Sequence, residues 1–175
     1  MAVHSGAGGS ARFGSAVTIA GADGPLVLRA AVASELPALS ALCLRSKASW
    51  GYNAQFLARC VPELTLSPED LTSGAVYTAL RGTVHVGVAH VVFCGSVAEL
   101  DKLFVEPSAM QTGVGRRLLV WAMETARQAG ASELIIVADP GAVPFYHALG
   151  AKAAGLQPAA SPEGRALPRL VLELV

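Results

Sequence analysis

Several common classes of protein are excluded by what this sequence has little of. Its three cysteines, Cys43, Cys60 and Cys94, are widely spaced and odd in number, so neither a disulfide framework nor a cysteine metal site is indicated. Isolated thiols of this kind are typical of a reducing cytoplasm, where we expect the protein to reside. His85 and His90 lie five residues apart, on opposite faces of a regular strand, which does not suit a metal pair.

Charge and hydropathy exclude further classes. The 13 basic and 13 acidic residues give a formal net charge of zero, which argues against a nucleic-acid or membrane-surface role for the whole chain. No apolar run approaches the roughly 18–20 residues of a membrane-spanning helix. Of the 175 residues, 53% are hydrophobic, which is enough for one domain with a sizeable core.

The first 25 residues differ from the rest, because they are rich in glycine, alanine and serine. Such a composition predicts a flexible tail or an overlong translation start. Arg12 precedes only a weak apolar stretch, so a secretory signal is not indicated. We therefore place the folded domain at residues 26–175.

Apolar patterns predict the elements of this domain. Seven strands are predicted, at about 26–30, 75–80, 84–93, 97–105, 133–138, 152–156 and 169–175. Four helices are predicted. The first is capped by Ser34, and the second is capped by Asn53 and ends at Pro62. The third precedes Gly130, and the fourth carries Phe145 and Tyr146. The strands at 97–105 and 133–138 are joined by a helix, which predicts a parallel βαβ crossover.

The most informative segment connects the strand ending at Val105 to the helix that follows Gly115. Gly113 and Gly115 allow backbone conformations closed to other residues and let a ligand approach closely. Backbone N–H groups at such a loop, with the helix N-terminus, favour an anion such as phosphate. The plainer alternative is an ordinary glycine-bearing connection with solvated arginines at Arg116 and Arg117.

Two nucleotide motifs can be tested against this loop. A dinucleotide fingerprint needs a third glycine at the position of Leu118. A P-loop needs Gly-Lys-Ser/Thr, which is absent. The anion is therefore expected to belong to neither NAD nor a P-loop nucleotide.

The loop resembles motif A of the GCN5-related N-acetyltransferase (GNAT) superfamily, Gln/Arg-x-x-Gly-x-Gly/Ala, which holds the pyrophosphate of acetyl-coenzyme A (acetyl-CoA). Gly113 and Gly115 match, whereas Met110 stands at the first position, so its side-chain contact is missing or moved to Gln111.

A second family motif, Asn-x-x-Ala-x-x-Phe-Tyr, is similar to residues 139–146, with Ala142, Phe145 and Tyr146 matched and Asp139 replacing the asparagine. The resemblance implies an α/β fold with a mixed, mostly antiparallel sheet of about six or seven strands. A splayed central parallel pair and about four flanking helices are implied as well.

The resemblance also implies how acetyl-CoA, the co-substrate, is held. The residues expected to bind it come from the strand, the loop and the second motif: Leu103, Phe104, Val105, Gln111, Thr112, Gly113, Val114, Gly115, Arg116, Asp139 and Phe145. No metal is expected. The tyrosine that matches Tyr146 is the superfamily's usual proton donor to the departing thiolate.

Two acids are candidates for the general base. Glu99 and Asp101 fall on one face of a regular strand together with Leu103 and Val105. Two carboxylates that point toward the core indicate a functional role. Glu99 falls where histone-acetylating members of the superfamily carry a catalytic glutamate. Either acid, directly or through water, could deprotonate an amine, unless this face is simply wet.

Trp50 and Tyr52 flank Gly51 in the segment between the first two predicted helices. In the superfamily this loop borders the acceptor, so both rings are expected to line the substrate site, the alternative being ordinary packing of a helix corner. The segment 157–167, which holds Arg165, is the second candidate for setting substrate choice.

The resemblance thus implies an N-acetyltransferase that acts on a small-molecule or peptide amine by direct attack in a ternary complex. It is expected to be a monomer or homodimer, without nucleic-acid or membrane partners. The main alternative is a non-catalytic acyl-CoA sensor or partner protein of the same fold. Another acyl donor, or an alcohol acceptor, is a further alternative.

Overall fold

The computed structural model describes residues 15–21, 24–159 and 164–174. Within them, eight strands form a single sheet: β1 (Val17–Ile19), β2 (Leu26–Ala30), β3 (Gly74–Arg81), β4 (Val84–Cys94), β5 (Val97–Val105), β6 (Glu133–Val137), β7 (Lys152–Pro158) and β8 (Ala166–Glu173). The α-helices are α1 (Leu36–Ala48), α2 (Ala54–Leu64), α3 (Asp70–Ser73), α4 (Val114–Gln128) and α5 (Val143–His147). Single 3₁₀ turns occupy Ala33–Glu35, Pro107–Ala109 and Pro140–Ala142.

The sheet order is β1-β2-β3-β4-β5-β6-β8-β7, and the β5–β6 pair is parallel while the other pairs are antiparallel. The predicted fold class is therefore confirmed, with eight strands in place of six or seven. The additional strand is β1, which pairs with β2 and lies inside the predicted 1–25 tail. This part of the tail thus belongs to the sheet, and residues 1–14 lie outside the described chain.

Helices cover both faces of the sheet, because each face is apolar and must be buried. On one face, Leu119 of α4 and Tyr146 of α5 pack in one buried cluster with Ile136 of β6. On the other face, α1 and α2 bury residues such as Leu42 against Val88 of β4. The sheet therefore lies between an α4–α5 layer and an α1–α2 layer.

The second helix begins as predicted but ends later. The Asn53 side chain caps α2 by accepting a hydrogen bond from the Phe56 backbone N–H at 2.8 Å. Pro62 was predicted to stop this helix, yet α2 continues to Leu64. Pro62 costs the helix one backbone hydrogen bond, and burial of Cys60 and Leu64 on the inner face offsets that cost.

A β-bulge in β4 overturns the predicted placement of the two histidines. Ala79 pairs with Gly87 but Leu80 pairs with His85, so one extra residue, Val86, interrupts the alternation. His85 therefore lies on the same face as His90, toward α1 and α2, and the prediction of opposite faces is wrong.

A second bulge, in β5, changes the face of the sheet on which Glu99 lies. His90 pairs with Lys102 but Val91 pairs with Leu100, which leaves Asp101 as the extra residue. Leu100 and Leu103 consequently both pack toward α4, and Glu99 points to the opposite face. The prediction that Glu99 shares a face with Leu103 and Val105 is wrong.

Candidate active site

The central parallel pair opens halfway along β5. The β5–β6 ladder joins Val97–Leu100 to Glu133–Ile136 and stops there, although β5 continues to Val105. The space between residues 101–105 and the end of β6 is called the gap below. It offers unpaired strand backbone to a ligand, as expected of the splayed pair.

The direction of the β5 backbone groups follows from one hydrogen bond. The Glu106 N–H donates to the Val86 carbonyl at 2.9 Å, so the groups of Glu106 and Phe104 face β4. Because these directions alternate in an antiparallel pair, the N–H groups of Leu103 and Val105 face the gap. The Val105 N–H is therefore available to an oxygen that lies there.

The loop before α4 has a backbone suited to binding an anion. Gln111 has φ of 62° and Gly113 has φ of 85°, two left-handed positions of the kind found in backbone concavities that bind anions. The Thr112 hydroxyl donates to the Ala109 carbonyl at 2.7 Å and thereby holds the turn. The buried Val114 then begins a helix of 15 residues, whose N-terminus adds a favourable dipole.

Met110, at the motif position where the family has Gln or Arg, does not supply a polar contact to this loop. Its sulfur lies 4.0 Å from the Ser49 hydroxyl at the end of α1. The polar positions of the loop are therefore its backbone and the neighbouring Gln111 and Thr112.

Gly115 brings the loop close to the walls of the gap. A Cβ atom at this position would lie 3.4 Å from the Phe145 ring and 3.5 Å from a Val105 methyl group. The absence of a side chain here leaves the gap open toward the loop. Phe145 also packs edge-on against Tyr146, with ring centroids 5.0 Å apart.

Tyr146 is buried beside the gap, with 6% of its surface exposed. Its hydroxyl makes no hydrogen bond to another residue in the described ranges. Burial raises the pKa of Tyr146 above its ordinary value, so the hydroxyl keeps its proton at neutral pH. It is thus chemically suited to donate a proton.

A cationic cavity of about 430 Å³ borders the loop on the side away from the gap. Arg81, Arg116 and Arg117 line it together with Gly113. Arg81 also donates to the Thr112 hydroxyl at 3.4 Å. Guanidinium groups beside a helix N-terminus suit phosphate groups, and the sequence reasoning did not single out Arg81.

The two candidate bases have different surroundings. The carboxylate of Asp101 lies 2.8 Å from Nδ1 of the buried His90 and also accepts a hydrogen bond from Lys102. Burial alone raises the pKa of Asp101, but the hydrogen bonds from His90 and Lys102 outweigh it and lower that pKa to about 2. Asp101 is therefore a weak base, whereas Glu99 is half-buried and forms no ion pair with a described residue.

A charged cluster forms beyond the end of β6. It consists of Lys47 from the last turn of α1, Tyr52 from the segment between α1 and α2, Asp139, and Arg165 just before β8. The Asp139 carboxylate accepts hydrogen bonds from the Tyr52 hydroxyl at 2.5 Å and from Lys47 at 3.3 Å. Arg165 donates to the Tyr52 oxygen at 3.1 Å and lies over the Phe56 ring at 4.9 Å.

The surroundings shift the pKa values of Asp139 and Tyr52 in opposite directions. Burial raises the pKa of Asp139, but the Tyr52 hydrogen bond and the charge of Lys47 outweigh it and lower that pKa. Burial, followed by the Asp139 hydrogen bond, raises the pKa of Tyr52, so this hydroxyl remains a donor.

Trp50 lies against the same stretch of chain. A Cβ atom at Gly141 would come within 2.5 Å of the Trp50 ring, so only glycine lets the ring pack there. Trp50 nevertheless keeps 47% of its surface exposed. The predicted substrate residues Trp50 and Tyr52 are thus brought together beside Asp139.

The structure therefore gathers most of the predicted site residues around the gap. Leu103 and Val105 pack toward α4, and Phe104 packs toward α1. Residues 111–113 form the loop, and residues 114–116 are the first turn of α4, which therefore begins before Gly115 and not after it. Sequence reasoning missed the partnership of Lys47 and Arg165 with Asp139, since these residues meet only in the folded chain.

Within the described ranges, no three His, Cys, Asp or Glu side chains are grouped as a metal site would require. None of the helices in those ranges is both long and apolar enough to cross a membrane.

Comparison with known proteins agrees with this arrangement. A sequence model of the Acetyltransferase (GNAT) family matches residues 45–151. No curated protein matched the chain.

Solved structures share the fold. A GCN5-related N-acetyltransferase (aminotransferase, class-II) from Rhodopseudomonas palustris has 21% identity and a TM-score of 0.73, over 92% of this chain and 100% of that one. The paia N-acetyltransferase from Thermoplasma acidophilum, solved with coenzyme A, has 15% identity and a TM-score of 0.68, over 85% and 98%. The ribosomal-protein-S18-alanine N-acetyltransferase from Escherichia coli has 17% identity and a TM-score of 0.64, over 85% and 94%.

Proposed function

The chain belongs to the GNAT acetyltransferase family, and on that premise we propose that it transfers an acetyl group from acetyl-CoA to an amine. One structural neighbour was solved with coenzyme A, and another is named for N-acetylation of an alanine. Both support acetyl-CoA as the donor and an amine as the acceptor.

One observation carries the proposal: the open end of the β5–β6 pair runs directly into the left-handed turns at Gln111 and Gly113. The backbone of β5 is unpaired toward β6 and can accommodate an extended arm, and the left-handed positions of the loop suit an anion. A ligand with a long neutral arm and a pyrophosphate fits both features at once. Gly115 and the cationic cavity lined by Arg81 and Arg116 are consistent with the same ligand.

Different residues of this chain would then assist the separate steps of acetyl transfer. Acetyl-CoA supplies an activated acetyl thioester. The Val105 N–H donates a hydrogen bond to the acetyl oxygen as negative charge develops on it. The Tyr146 hydroxyl donates its proton to the sulfur as the carbon–sulfur bond breaks. Tyr146 then regains a proton from solvent.

The amine must lose a proton before its nitrogen can form the new bond to carbon. Glu99 is favoured as the acceptor of that proton, directly or through water, because its carboxylate has no competing cation in the described chain. Asp101, with its pKa of about 2, is better suited to holding Lys102 and His90 in place.

Two-substrate kinetics test this function. Initial rates of thiol release are measured across a panel of amines while acetyl-CoA and the amine are each varied, with reaction of the exposed Cys94 subtracted. Direct attack in a ternary complex gives intersecting reciprocal plots, whereas parallel plots would indicate an acetylated enzyme intermediate. Stabilisation by acetyl-CoA without turnover of any amine would instead support a non-catalytic binding protein.

A further inference from the structure

The charged cluster contains more positive than negative charge. Lys47 and Arg165 each carry one positive charge, and Asp139 carries one negative charge. The side chains of these residues are 14%, 26% and 14% exposed, so water screens them only partly. A partly desolvated excess cation is unfavourable unless an anion joins it.

The hydrogen bonds within this charged cluster use both oxygens of Asp139 but only some of the N–H groups of Lys47 and Arg165. Asp139 Oδ2 accepts from Tyr52 and Lys47, and Oδ1 accepts from the Gly141 N–H at 3.3 Å. Arg165 has five N–H donors, and its one hydrogen bond to a described residue goes to Tyr52. An incoming anion would therefore be bound by the cations without displacing Asp139.

Neighbouring carboxylates do not neutralise this excess in the described chain. The positive charge of Lys47 acts on the Glu63 carboxylate, so the two side chains lie in each other's field. Glu63 is nevertheless exposed and forms no ion pair with Lys47 or Arg165. Asp101 is already paired with Lys102.

The charged cluster also lies where an acceptor must pass. Asp139 lies two residues beyond the end of β6, at the mouth of the gap, and the Trp50 ring packs over the nearby Gly141. The cluster and Glu99 lie on the same face of the sheet, toward α1 and α2. An acceptor on this face meets a carboxylate at Glu99 and excess positive charge at Arg165.

We propose that the acceptor is an amine that also carries a carboxylate, with the carboxylate bound by Arg165 and Lys47 and the amine directed toward Glu99. This assignment rests on the proposed function and narrows its substrate to amino acids and similar amino-carboxylic acids. Arginine suits this role because its planar fork donates two parallel hydrogen bonds to one carboxylate.

Matched acceptors test the assignment. Thiol release is measured with free amino acids, with the same amino acids as carboxamides, and with the corresponding amines that lack the carboxyl group. We expect at least one free acid to have a kcat/KM at least about tenfold above that of its carboxamide, the order of effect of one charge-assisted hydrogen bond. Equal or better use of the carboxamides and simple amines would overturn the assignment.

Variants of Arg165 test whether this residue contacts the carboxylate of the acceptor. Arg165→Gln should raise KM for the free acid by about 10- to 100-fold and leave KM for the carboxamide and the affinity for acetyl-CoA unchanged. Arg165→Lys, which keeps the charge but loses the fork, should fall between these values. Lys152→Gln is the control, because it removes an exposed cation, also paired with a carboxylate, on the edge strand β7. A melting curve of each variant shows whether it remains folded.

The outcomes separate this inference from the proposed function. Acetylation of amines regardless of a carboxyl group, or equal effects of Arg165→Gln on acids and carboxamides, overturns the inference and leaves N-acetylation intact. Binding of acetyl-CoA with no turnover of any acceptor overturns the proposed function and the inference with it.

Discussion

His90 Nδ1 lies 2.8 Å from Asp101 Oδ2, at the bulge where β5 stops following β6. The extra residue of the bulge is thus held by a buried histidine on the neighbouring strand. Since the same carboxylate also accepts from Lys102, one side chain fixes the position where the paired half of β5 gives way to the gap.

Asp101→Asn is expected to lower stability at neutral pH. The folded-state pKa of Asp101, about 2, lies below its ordinary value of 3.8, so its ionised form stabilises the fold above about pH 4. That contribution is lost as the pH falls from about 4 to about 2. Because water screens the 37% exposed Asp101 side chain, the variant should be less stable at pH 7 by only about 1–2 kcal/mol, and its stability should change less across that acidic window.

Denaturant unfolding from pH 2 to 7 measures this effect. Glu173→Gln is the control, because its carboxylate belongs to an exposed pair with Lys152 and should contribute less than about 1 kcal/mol. Equal pH profiles for the wild type and Asp101→Asn would contradict the role given to the His90–Asp101 pair.

Acetyl-CoA is expected to stabilise the protein through the loop before α4. At about a hundred times its dissociation constant, it should add on the order of 2.7 kcal/mol to the free energy of unfolding. Gly113→Glu should abolish the thermal shift, because it places bulk and negative charge at a left-handed position facing the anion. Gly155→Glu is the matched control: Gly155 has φ of 98° and open surroundings, far along the chain in β7. A normal shift in Gly113→Glu would exclude the loop as the phosphate site.

Trp50→Ala is expected to raise KM for the amine and to leave the affinity for acetyl-CoA nearly unchanged. The exposed part of the Trp50 ring borders the acceptor side, and its buried part packs on the turn at Gly141. Steady-state kinetics and a binding titration separate the two effects. Leu156→Ala, which truncates another exposed apolar side chain, should change neither value. Equal losses in both, with a lower melting temperature, would show that Trp50 is only a packing residue.

Glu99→Gln is expected to reduce activity most at low pH. The amine is mostly protonated there and depends on a base, whereas at higher pH solvent supplies enough free amine to restore part of the rate. The measurement is kcat/KM against pH, beside Asp101→Asn. If Asp101→Asn shows the stronger loss and the rescue at high pH, Asp101 rather than Glu99 is the base.

Much of the fold could be predicted because it depends on local patterns. Strand β2 has the predicted limits, and α1 buries the predicted Leu36, Leu39, Leu42 and Cys43. The bulges at Val86 and Asp101 could not be predicted, because an extra residue leaves no signal in an alternating pattern. The tail strand β1 was missed for a different reason, since its short apolar run is stabilised only by pairing with β2.

The candidate site, like the fold, could be predicted only in part from the sequence. Gly113, Gly115 and Tyr146 belong to short motifs with fixed spacing, which a sequence displays directly. Lys47 and Arg165 contact Asp139 from distant segments, so only the folded chain brings their charges together.

The catalytic use of the gap is tested most directly by comparing kcat for acetylation in the wild type and in Tyr146→Phe. The substitution removes one hydroxyl from a buried ring and little volume, so acetyl-CoA should bind as before. If the hydroxyl protonates the leaving thiolate, kcat should fall by about 100- to 10,000-fold while KM for acetyl-CoA stays constant. An unchanged kcat in Tyr146→Phe, or no acetylated product from the wild type, would contradict the account.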